Sequence, residues 1–197
     1  MNPEILVPLP ASFSLATDVR GTVLGTSLQA VRDRKLEERY YQLLPKAHHD
    51  AIRNLVMQSW IPMELAMAHY RVMNELIRDP GEVRAIGRTV SDRVQKSYVM
   101  TLVQGLKASG VVHPGRILQR MPSVYERMSR GGACAVWRLG PKDARVELHG
   151  MPLAVIPYYR LGVEGIFEGG LSLAARAVRV SNKALSETSV AFAISWV

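Results

Sequence analysis

The chain has 197 residues, 48% of them hydrophobic and 21% charged, a composition that supplies a full buried core and excludes a disordered protein. Its net charge of +8 raises nucleic acid as a partner, but the Lys and Arg residues are spread along the chain and follow no nucleic-acid-binding motif. We therefore expect a solvated basic surface and no nucleic-acid partner.

The first residues bear on the location of the protein. Glu4, three prolines and the lack of a basic stretch argue against a signal peptide, and no apolar run reaches the roughly 18 residues of a membrane span. The single cysteine, Cys134, has no partner for an internal disulfide, so we expect it to pack in the core. These features predict a cytoplasmic protein without a membrane span, in which residues 1–16 form a loose segment.

Apolar residues recur at helical spacing through most of the next hundred residues. The spacing predicts two short helices after Gly21, a third after Pro45 and a fourth after Pro62, with Pro62 in its first turn. Two further short amphipathic helices are predicted around Leu118 and Val124. This part of the chain is therefore predicted as a helical bundle.

The clearest helix start is formed by Asp79, Pro80 and Glu82. An Asp cap, a proline at the first helical position and an acid shortly after it satisfy or tolerate the free amide groups of a helix start. The apolar stripe behind this start comprises Val83, Ile86, Val90, Val94, Val99, Leu102, Val103 and Leu106. Gly110 and the following His113-Pro114-Gly115 are predicted to stop the helix.

The pattern changes to period two after Gly131-Gly132. Two strands joined by the turn 140–143 predict a hairpin, a helix begins at Pro157, and two strands end the chain. In the second strand of the hairpin, apolar residues on one face alternate with Arg145, Glu147 and His149 on a solvated face. One face of the last strand carries Val190, Phe192, Ile194 and Trp196.

The order of elements predicts an α+β fold in one domain, residues 17–197. An N-terminal helical bundle, residues 17–130, is followed by a ββαββ unit, residues 131–197. We expect this unit to form a four-stranded antiparallel sheet with helices packed on one face.

An uncharacterised family of proteins of similar length, abundant in myxobacteria, resembles this chain in four segments: RGTVLGTSLQAV, LEERYYQLLP, WIPMELAMAHYR and RLGPKDARVELHGMPLAVIPYYR. The resemblance covers nearly the whole chain from Gly21. It implies a domain of unknown function, because the family has no established activity, and it brings no catalytic residues.

The order of elements is also similar, more distantly, to a superfold that includes haem nitric-oxide-binding domains, four-vinyl-reductase-type ligand-binding domains and palmitoylated transport-particle subunits. The haem branch is recognised by a proximal His and a Tyr-x-Ser-x-Arg motif. The nearest string in this chain, Tyr125-Glu126-Arg127-Met128-Ser129-Arg130, has a different spacing. The resemblance implies a ligand-binding fold, and we expect no cofactor, with haem disfavoured.

The histidines of the sequence do not form a recognisable catalytic or metal-binding pattern. His69 lies on the helix after Pro62, where it either contacts a ligand or forms hydrogen bonds within the protein. His48 and His49 are adjacent, and adjacent side chains diverge by about 100° on a helix, so they predict no metal site. No catalytic motif is present, and we expect no enzyme activity.

The densest group of chemically versatile side chains is Tyr158, Tyr159 and Arg160 at the start of a predicted helix. Tyr and Arg anchor carboxylates or stack aromatic ligands, and they also build protein interfaces. His149 and Trp137 are close to this stretch in the predicted topology. The predicted ligand-binding residues are His69, Tyr70, Trp137, His149, Tyr158, Tyr159 and Arg160.

Several glycines lie in the same predicted helix without dinucleotide-binding order. Each helical glycine costs up to about 1 kcal/mol relative to alanine, so several together predict a close backbone approach. Packing on the sheet or against a second subunit is favoured over a ligand groove. We assign Gly162, Gly165 and Gly169 to such an interface.

Two functions from different classes follow. The first is a non-enzymatic cytoplasmic signalling or sensor module that binds a small apolar ligand between helices and sheet. The second is a protein-interaction or dimerisation module without a ligand, which predicts a homodimer or a protein partner. A cavity of roughly a few hundred Å³ with convergent polar groups favours the first, and a dry, closed interior favours the second.

Overall fold

The computed structural model describes residues 3–94 and 113–197. The predicted continuation of the apolar stripe from Val99 to Leu106 and its stop at Gly110 lie outside these residues. The helices are α1 (Thr22–Asp33), α2 (Glu37–Leu43), α3 (His49–Arg53), α4 (Met63–Leu76), α5 (Pro80–Val94), α6 (Pro114–Leu118), α7 (Met121–Met128) and α8 (Pro157–Leu171). None of these described helices combines the length and the apolar character that crossing a membrane requires.

The strands are β1 (Glu4–Val7), β2 (Asp18–Arg20), β3 (Trp60–Pro62), β4 (Ser129–Arg130), β5 (Ala133–Gly140), β6 (Asp143–His149), β7 (Val178–Ser186) and β8 (Ser189–Trp196). Short 3-10 helices occur at Lys46–His48 and Pro152–Val155. The hairpin β5–β6, the helix α8 and the strands β7 and β8 lie where the sequence pattern predicts them.

The start of α5 is the one that the sequence predicts. The Oδ1 atom of Asp79 accepts a hydrogen bond from the backbone N–H of Glu82 at 2.7 Å, and Pro80 is the first helical residue. Pro157 occupies the first position of α8 in the same way. Pro62 differs from its prediction, because it ends β3 and precedes α4 instead of lying in the first turn.

The main sheet has five antiparallel strands in the order β1-β5-β6-β8-β7, so the predicted number of four is wrong. The additional strand, β1, pairs with β5 and belongs to the segment 1–16 that was expected to be loose. Its residues Ile5, Leu6 and Val7 form a short apolar run. Pro8 and Pro10 have no N–H to donate to a strand ladder, which limits the strand to four residues.

A second sheet, in the order β3-β2-β4, lies within the part predicted as a helical bundle. Its strands have two or three residues, too few for a period-two pattern to be visible in the sequence. Val19 pairs with Ile61 across this sheet, and both side chains are buried. The sheet thus joins the beginning of α1 and the beginning of α4 to the end of α7.

The core lies between the helices and the inner face of the main sheet. Val136, Val146 and Phe192 pair across three strands and are fully buried, and Phe167 of α8 packs on Phe192 with ring centroids 5.4 Å apart. Cys134 is buried in the same core, where burial raises the pKa of its thiol to about 12. The predicted apolar face of β8 is buried as well, with Val190, Phe192, Ile194 and Trp196.

Candidate ligand-binding site

Four buried tyrosines lie between the helices, close to strand β5. The ring of Tyr70 on α4 lies 6.0 Å from that of Tyr158 and 5.4 Å from that of Tyr159, both on α8. Tyr159 in turn interacts electrostatically with Tyr125 of α7 and with Cys134 of β5. We name the group Tyr70, Tyr125, Tyr158 and Tyr159 the tyrosine seam. Three of its members are predicted site residues, and Tyr125 is not.

The hydroxyl groups of the seam differ in their partners. Tyr70 donates a hydrogen bond to the backbone carbonyl of Val23 at 2.8 Å. The hydroxyls of Tyr125 and Tyr158 are buried and have no hydrogen-bond partner among the described residues. Burial raises the pKa of Tyr125 to about 12 and that of the other three tyrosines well above the ordinary value. All four hydroxyls therefore stay protonated at neutral pH, and because Tyr70 already uses its proton, the hydroxyl of Tyr158 is the one available as a donor to a groove that opens beside it.

Tyr125 reaches the seam because Gly132 has no side chain. Gly132 has a φ of +72°, and a Cβ atom built on it would lie 2.0 Å from the Tyr125 hydroxyl oxygen. The sequence pattern at Gly131-Gly132 indicates the change from helices to strands, and it gives no sign of this contact. The contact that brings Tyr125 to the site forms only in the folded protein, so the spacing of apolar residues in the sequence does not predict it.

A groove of about 330 Å³ opens beside Tyr158, where α4, α5 and α8 meet. Asn74 of α4 positions the tyrosine, because its Oδ1 atom accepts a hydrogen bond from the backbone N–H of Tyr158 at 3.0 Å. Ile77, Val83 and Leu161 line the groove with apolar surface. Its volume is at the lower end of small-molecule sites, which span about 300–1,000 Å³. This side of the molecule therefore carries an open surface groove of about the size at which small-molecule sites begin.

His69 lies beside the seam but is committed to the protein's own hydrogen bonds. It is 0% exposed, with Nε2 at 2.5 Å from the Ser27 hydroxyl and Nδ1 at 2.8 Å from the Tyr40 hydroxyl. Because Ser27 donates to the Leu24 carbonyl at 3.0 Å, we assign the imidazole proton to Nε2, which donates to Ser27, and Nδ1 accepts from Tyr40. Burial lowers the pKa of His69 to about 3, so the imidazole is neutral.

Trp137 and His149 are not part of the seam; they lie on the outer face of the main sheet. The Arg145 guanidinium carbon is 4.8 Å from the Trp137 ring centroid. The two carboxylate oxygens of Glu147 lie 3.0 Å from Arg145 Nε and 2.9 Å from His149 Nε2. The residues that alternate with these on β6, Ala144, Val146 and Leu148, face the core. The structure thus separates two predicted site residues from the tyrosines by the thickness of a sheet.

Arg160 is also directed away from the seam. Its Nη1 atom donates to the carbonyls of Ala154 and Val155 at 2.7 and 2.9 Å, and its Nε atom donates to Asn182 Oδ1 at 3.0 Å. These bonds connect α8 to the 3-10 helix before it and to β7. The Asn182 side chain continues the network to Glu164, at 2.6 Å.

The predicted close approach at the α8 glycines occurs within the chain, against α5. A Cβ atom on Gly165 would lie 2.1 Å from the Arg84 carbonyl oxygen, and one on Gly87 of α5 would lie 2.1 Å from the Gly162 carbonyl oxygen. A Cβ atom on Gly162 itself would meet nothing within 4 Å. The carbonyl of Gly169 accepts a hydrogen bond from the Ser172 hydroxyl at 2.7 Å. The close contact at Gly165 therefore needs no second subunit, and the assignment of Gly162 and Gly169 to an interface stays a prediction.

Residues 16–197 match a family model described as "Protein of unknown function (DUF2378)". The chain belongs to this family. Membership in DUF2378 confirms the prediction of a domain family of unknown function. No curated protein matches the sequence.

Solved structures of H-NOX proteins share the fold of this DUF2378 chain. The Fe(II) unliganded H-NOX protein from K. algicida has a TM-score of 0.66 and 10% identity, covering 90% of this chain and 96% of that one. An H-NOX protein from S. oneidensis in the Fe(II)NO ligation state has a TM-score of 0.59 and 10% identity, covering 90% and 99%. A third, described as "Probing the function of heme distortion in the H-NOX family", has a TM-score of 0.56 and 12% identity, covering 90% and 94%. At such identities the likeness concerns the fold.

This likeness corrects the prediction that the chain takes no cofactor. That prediction disfavoured haem because the spacing from Tyr125 to Arg130 departs from the Tyr-x-Ser-x-Arg motif. The proteins that share the fold are nevertheless H-NOX proteins, and haem is named in the description of one of them. The spacing of one motif was too narrow a criterion for excluding haem. Two proteins that share only about a tenth of their residues can keep the same fold while the side chains at their sites differ.

Proposed function

We propose that this protein is a non-enzymatic sensor module that binds a small, mainly apolar ligand at the tyrosine seam, in the groove where α4, α5 and α8 meet instead of between helices and sheet. The observation that carries the proposal is the buried hydroxyl of Tyr158, which has no partner among the described residues and belongs to a side chain that lines a groove of about 330 Å³. A bound ligand supplies the acceptor that the described residues do not provide there.

Energetics favour an occupant over an empty site. A buried hydroxyl that is left without a hydrogen bond costs roughly 1–3 kcal/mol, and proteins seldom retain such groups without a ligand, a water or a functional reason. Among the described residues the seam holds two of them, on Tyr125 and Tyr158, and of these only Tyr125 has a hydroxyl neighbour, Ser129, which partly offsets the rise in pKa that burial causes. A ligand that accepts from one of these hydroxyls and covers apolar side chains of the groove recovers that cost.

The absence of enzyme activity is part of the proposal. The seam's hydroxyls are weak acids whose pKa values burial raises, so none of them serves as a base at neutral pH. His69 beside them is neutral and hydrogen-bonded at both ring nitrogens, and burial raises the pKa of the neighbouring Cys134 thiol to about 12, so that thiol stays protonated as well. These groups bind and orient a ligand, and they do not transfer its protons.

The fold supports a sensor role by analogy, because H-NOX proteins with the same layout include one described in its Fe(II)NO ligation state. Haem is the ligand that this analogy suggests testing, and it would supply an iron that binds a diatomic gas, but a groove of about 330 Å³ does not enclose a porphyrin. His69, His49 and His149 have Nε2 engaged within the chain. The Nδ1 atom of His113 accepts a hydrogen bond from Gly115 N at 3.1 Å, whereas its Nε2 has no partner among the described residues. His113 is therefore the histidine to test first. Ligation of haem iron by His113 would require the ring proton to move from Nε2 to Nδ1 and the bond from Gly115 to break, and its ring lies 5.8 Å from that of Trp196.

The ligand-binding role is tested by removing whatever the purified protein carries. We expect passage over a hydrophobic resin in mild conditions to lower the Tm by roughly 5–10 °C, because a ligand at about 100 times its Kd stabilises the folded state by about 2.7 kcal/mol. Returning the material eluted from the resin should restore the Tm, and a sample passed over uncoated resin is the control. An unchanged Tm together with an empty eluate would contradict the proposal.

Absorbance spectroscopy with added haemin decides whether the ligand is haem. A Soret band distinct from that of free haemin, lost in His113→Ala and retained in the control His48→Ala, would identify haem and its axial residue. A spectrum that remains that of free haemin assigns the seam to a ligand without iron.

A further inference from the structure

We propose that the groove beside Tyr158 selects ligands that carry a single carboxylate head on a short apolar body. The inference rests on the proposed function and names the chemical class of its ligand. It follows from the donors, the acceptor and the apolar surface that line the groove.

The body of the ligand is matched by the groove's apolar lining. Ile77 and Val83 are buried at 4% and 1% exposure, and Leu161 and Pro157 complete the apolar surface. These side chains form no hydrogen bond with a ligand, so they favour a body made of carbon. A volume of about 330 Å³ admits a body of a few carbon atoms and excludes a long acyl chain.

The head of the ligand is matched by an excess of donors. The buried Tyr158 hydroxyl remains protonated and has no partner among the described residues. The Oδ1 atom of Asn74 is occupied by the Tyr158 backbone N–H, which leaves the Nδ2 group of Asn74 to donate. Arg78, exposed at the edge of the groove, adds a guanidinium that no described residue neutralises. Three donors and a positive charge fit an anionic acceptor, and a carboxylate accepts from several donors at once.

Glu75 is the one group of the lining that opposes an anion. Its side chain is exposed, so water and salt screen its charge, whereas the Tyr158 hydroxyl acts from a buried position where a hydrogen bond is stronger. The buried Tyr158 hydroxyl therefore outweighs Glu75, and the groove prefers an anionic ligand to a cationic one. Glu75 limits the preference to ligands with a single negative charge. A second negative charge on the ligand would be repelled by Glu75, and the described lining has no cation besides Arg78 to neutralise it.

Three probes with one body and different heads test the inference. Hexanoate, hexanol and hexylamine are titrated into the resin-stripped full-length protein by isothermal titration calorimetry. We expect hexanoate to bind at least about tenfold more tightly than hexanol or hexylamine, because only its carboxylate is a negatively charged acceptor, which strengthens the hydrogen bonds from these donors. Arg78→Ala should weaken hexanoate binding by about tenfold and leave hexanol binding unchanged, whereas Tyr158→Phe should weaken hexanoate binding by about tenfold and hexanol binding by less, because a neutral hydroxyl is the weaker acceptor. Arg71→Ala, an exposed arginine of α4, the helix that precedes Arg78, is the matched control.

The variants are suited to the test because Tyr158→Phe removes one atom that has no partner among the described residues, and Arg78 is exposed. Equal binding of hexanoate and hexanol, or tightest binding of hexylamine, would overturn the inference while leaving the sensor proposal in place. Binding of none of the three overturns the inference as well. Only if the resin treatment also leaves the Tm unchanged does the proposed function fail with it.

Discussion

His69 joins three helices at a single side chain. Its imidazole on α4 is held by Ser27 of α1 and Tyr40 of α2, and it is fully buried. A neutral imidazole with one donor and one acceptor fits this place, because each ring nitrogen meets a hydroxyl of the complementary role. A charged imidazole would lose that match and its solvation together, which explains the pKa of about 3.

The buried histidine predicts how stability depends on pH. The pKa of His69 is about 3 in the folded state, below its unfolded value near 6.5, so the unfolded state binds the extra proton. This contribution to stability is complete above pH of about 6.5 and is lost as the pH falls towards about 3. As the pH is lowered between these values, the free energy of unfolding of His69→Gln should fall less steeply than that of the wild type. The two slopes should differ by up to about 1.4 kcal/mol per pH unit.

Urea unfolding at a series of pH values measures this difference. Ser27→Ala is the control, because it loses a hydrogen bond but keeps the buried imidazole, and we expect it to retain the steep slope at a lower overall stability. Equal slopes for the wild type and His69→Gln would show that His69 does not titrate between the two states.

At the residue scale, the sequence predicts neighbours on one element better than partners from different elements. Tyr158 and Tyr159 lie at the start of one helix, and the structure brings both to the seam. The alternation along β6 correctly placed His149 on the face opposite the core, but that face is not solvated as predicted, because Glu147 on it is buried. Tyr125 and Asn74 could not be predicted, because α7 and α4 reach α8 only after the chain has folded.

At the scale of elements, the contact between α5 and α8 depends on glycine. Gly165→Ala places a methyl group 2.1 Å from the Arg84 carbonyl oxygen, so the helices must separate. We expect Gly165→Ala to lower the free energy of unfolding by about 2–3 kcal/mol, in the range of overpacked cores. Gly162→Ala, one turn away, has open space at its Cβ and should raise it by up to about 1 kcal/mol through helix propensity. Similar effects of both substitutions in denaturant unfolding would contradict this account.

Two ion pairs fasten the same helices and differ in burial. Glu164, 2% exposed, pairs with Arg84 at 2.6 Å, whereas Arg88 and Glu168 pair at a more exposed position. Arg84→Ala leaves a buried carboxylate without its cation, at a cost of about 2 kcal/mol after allowing for the partial exposure of Arg84. Arg88→Ala should cost at most about 1 kcal/mol.

The double variant Arg84→Ala/Glu164→Gln separates charge burial from packing. It should recover part of the stability that Arg84→Ala loses, because it leaves no buried charge, and chemical denaturation measures that recovery. No recovery would mean that the arginine acts through its packing alone.

Element prediction succeeded where the pattern was long and failed where it was short. The capped start of α5 and the eight-residue strand β8 each give several periods of a pattern. Strand β1 has four residues between prolines, and the small sheet has strands of two or three, so their pairing depends on distant partners. The sequence predicts that another backbone packs closely on the glycines of α8. It does not predict that this backbone belongs to α5.

At the scale of the whole molecule, the order of elements was enough to indicate the superfold. The ligand could not be predicted in the same way, because about nine in ten residues differ from the H-NOX proteins with the same fold. A fold fixes where a site lies between helices and sheet, and the individual side chains fix what it binds. In this chain those side chains are the tyrosines of the seam and the lining of the adjacent groove.

Native mass spectrometry of freshly purified protein tests the central claim most directly. We predict an added small-molecule mass in the wild type, lost on denaturation. Leu161→Trp, which fills the groove, should lack that mass, whereas Leu185→Trp, the same substitution at an exposed residue of β7, should keep it. A wild-type protein without added mass, or a mass that persists equally in Leu161→Trp, would contradict a ligand held at this groove.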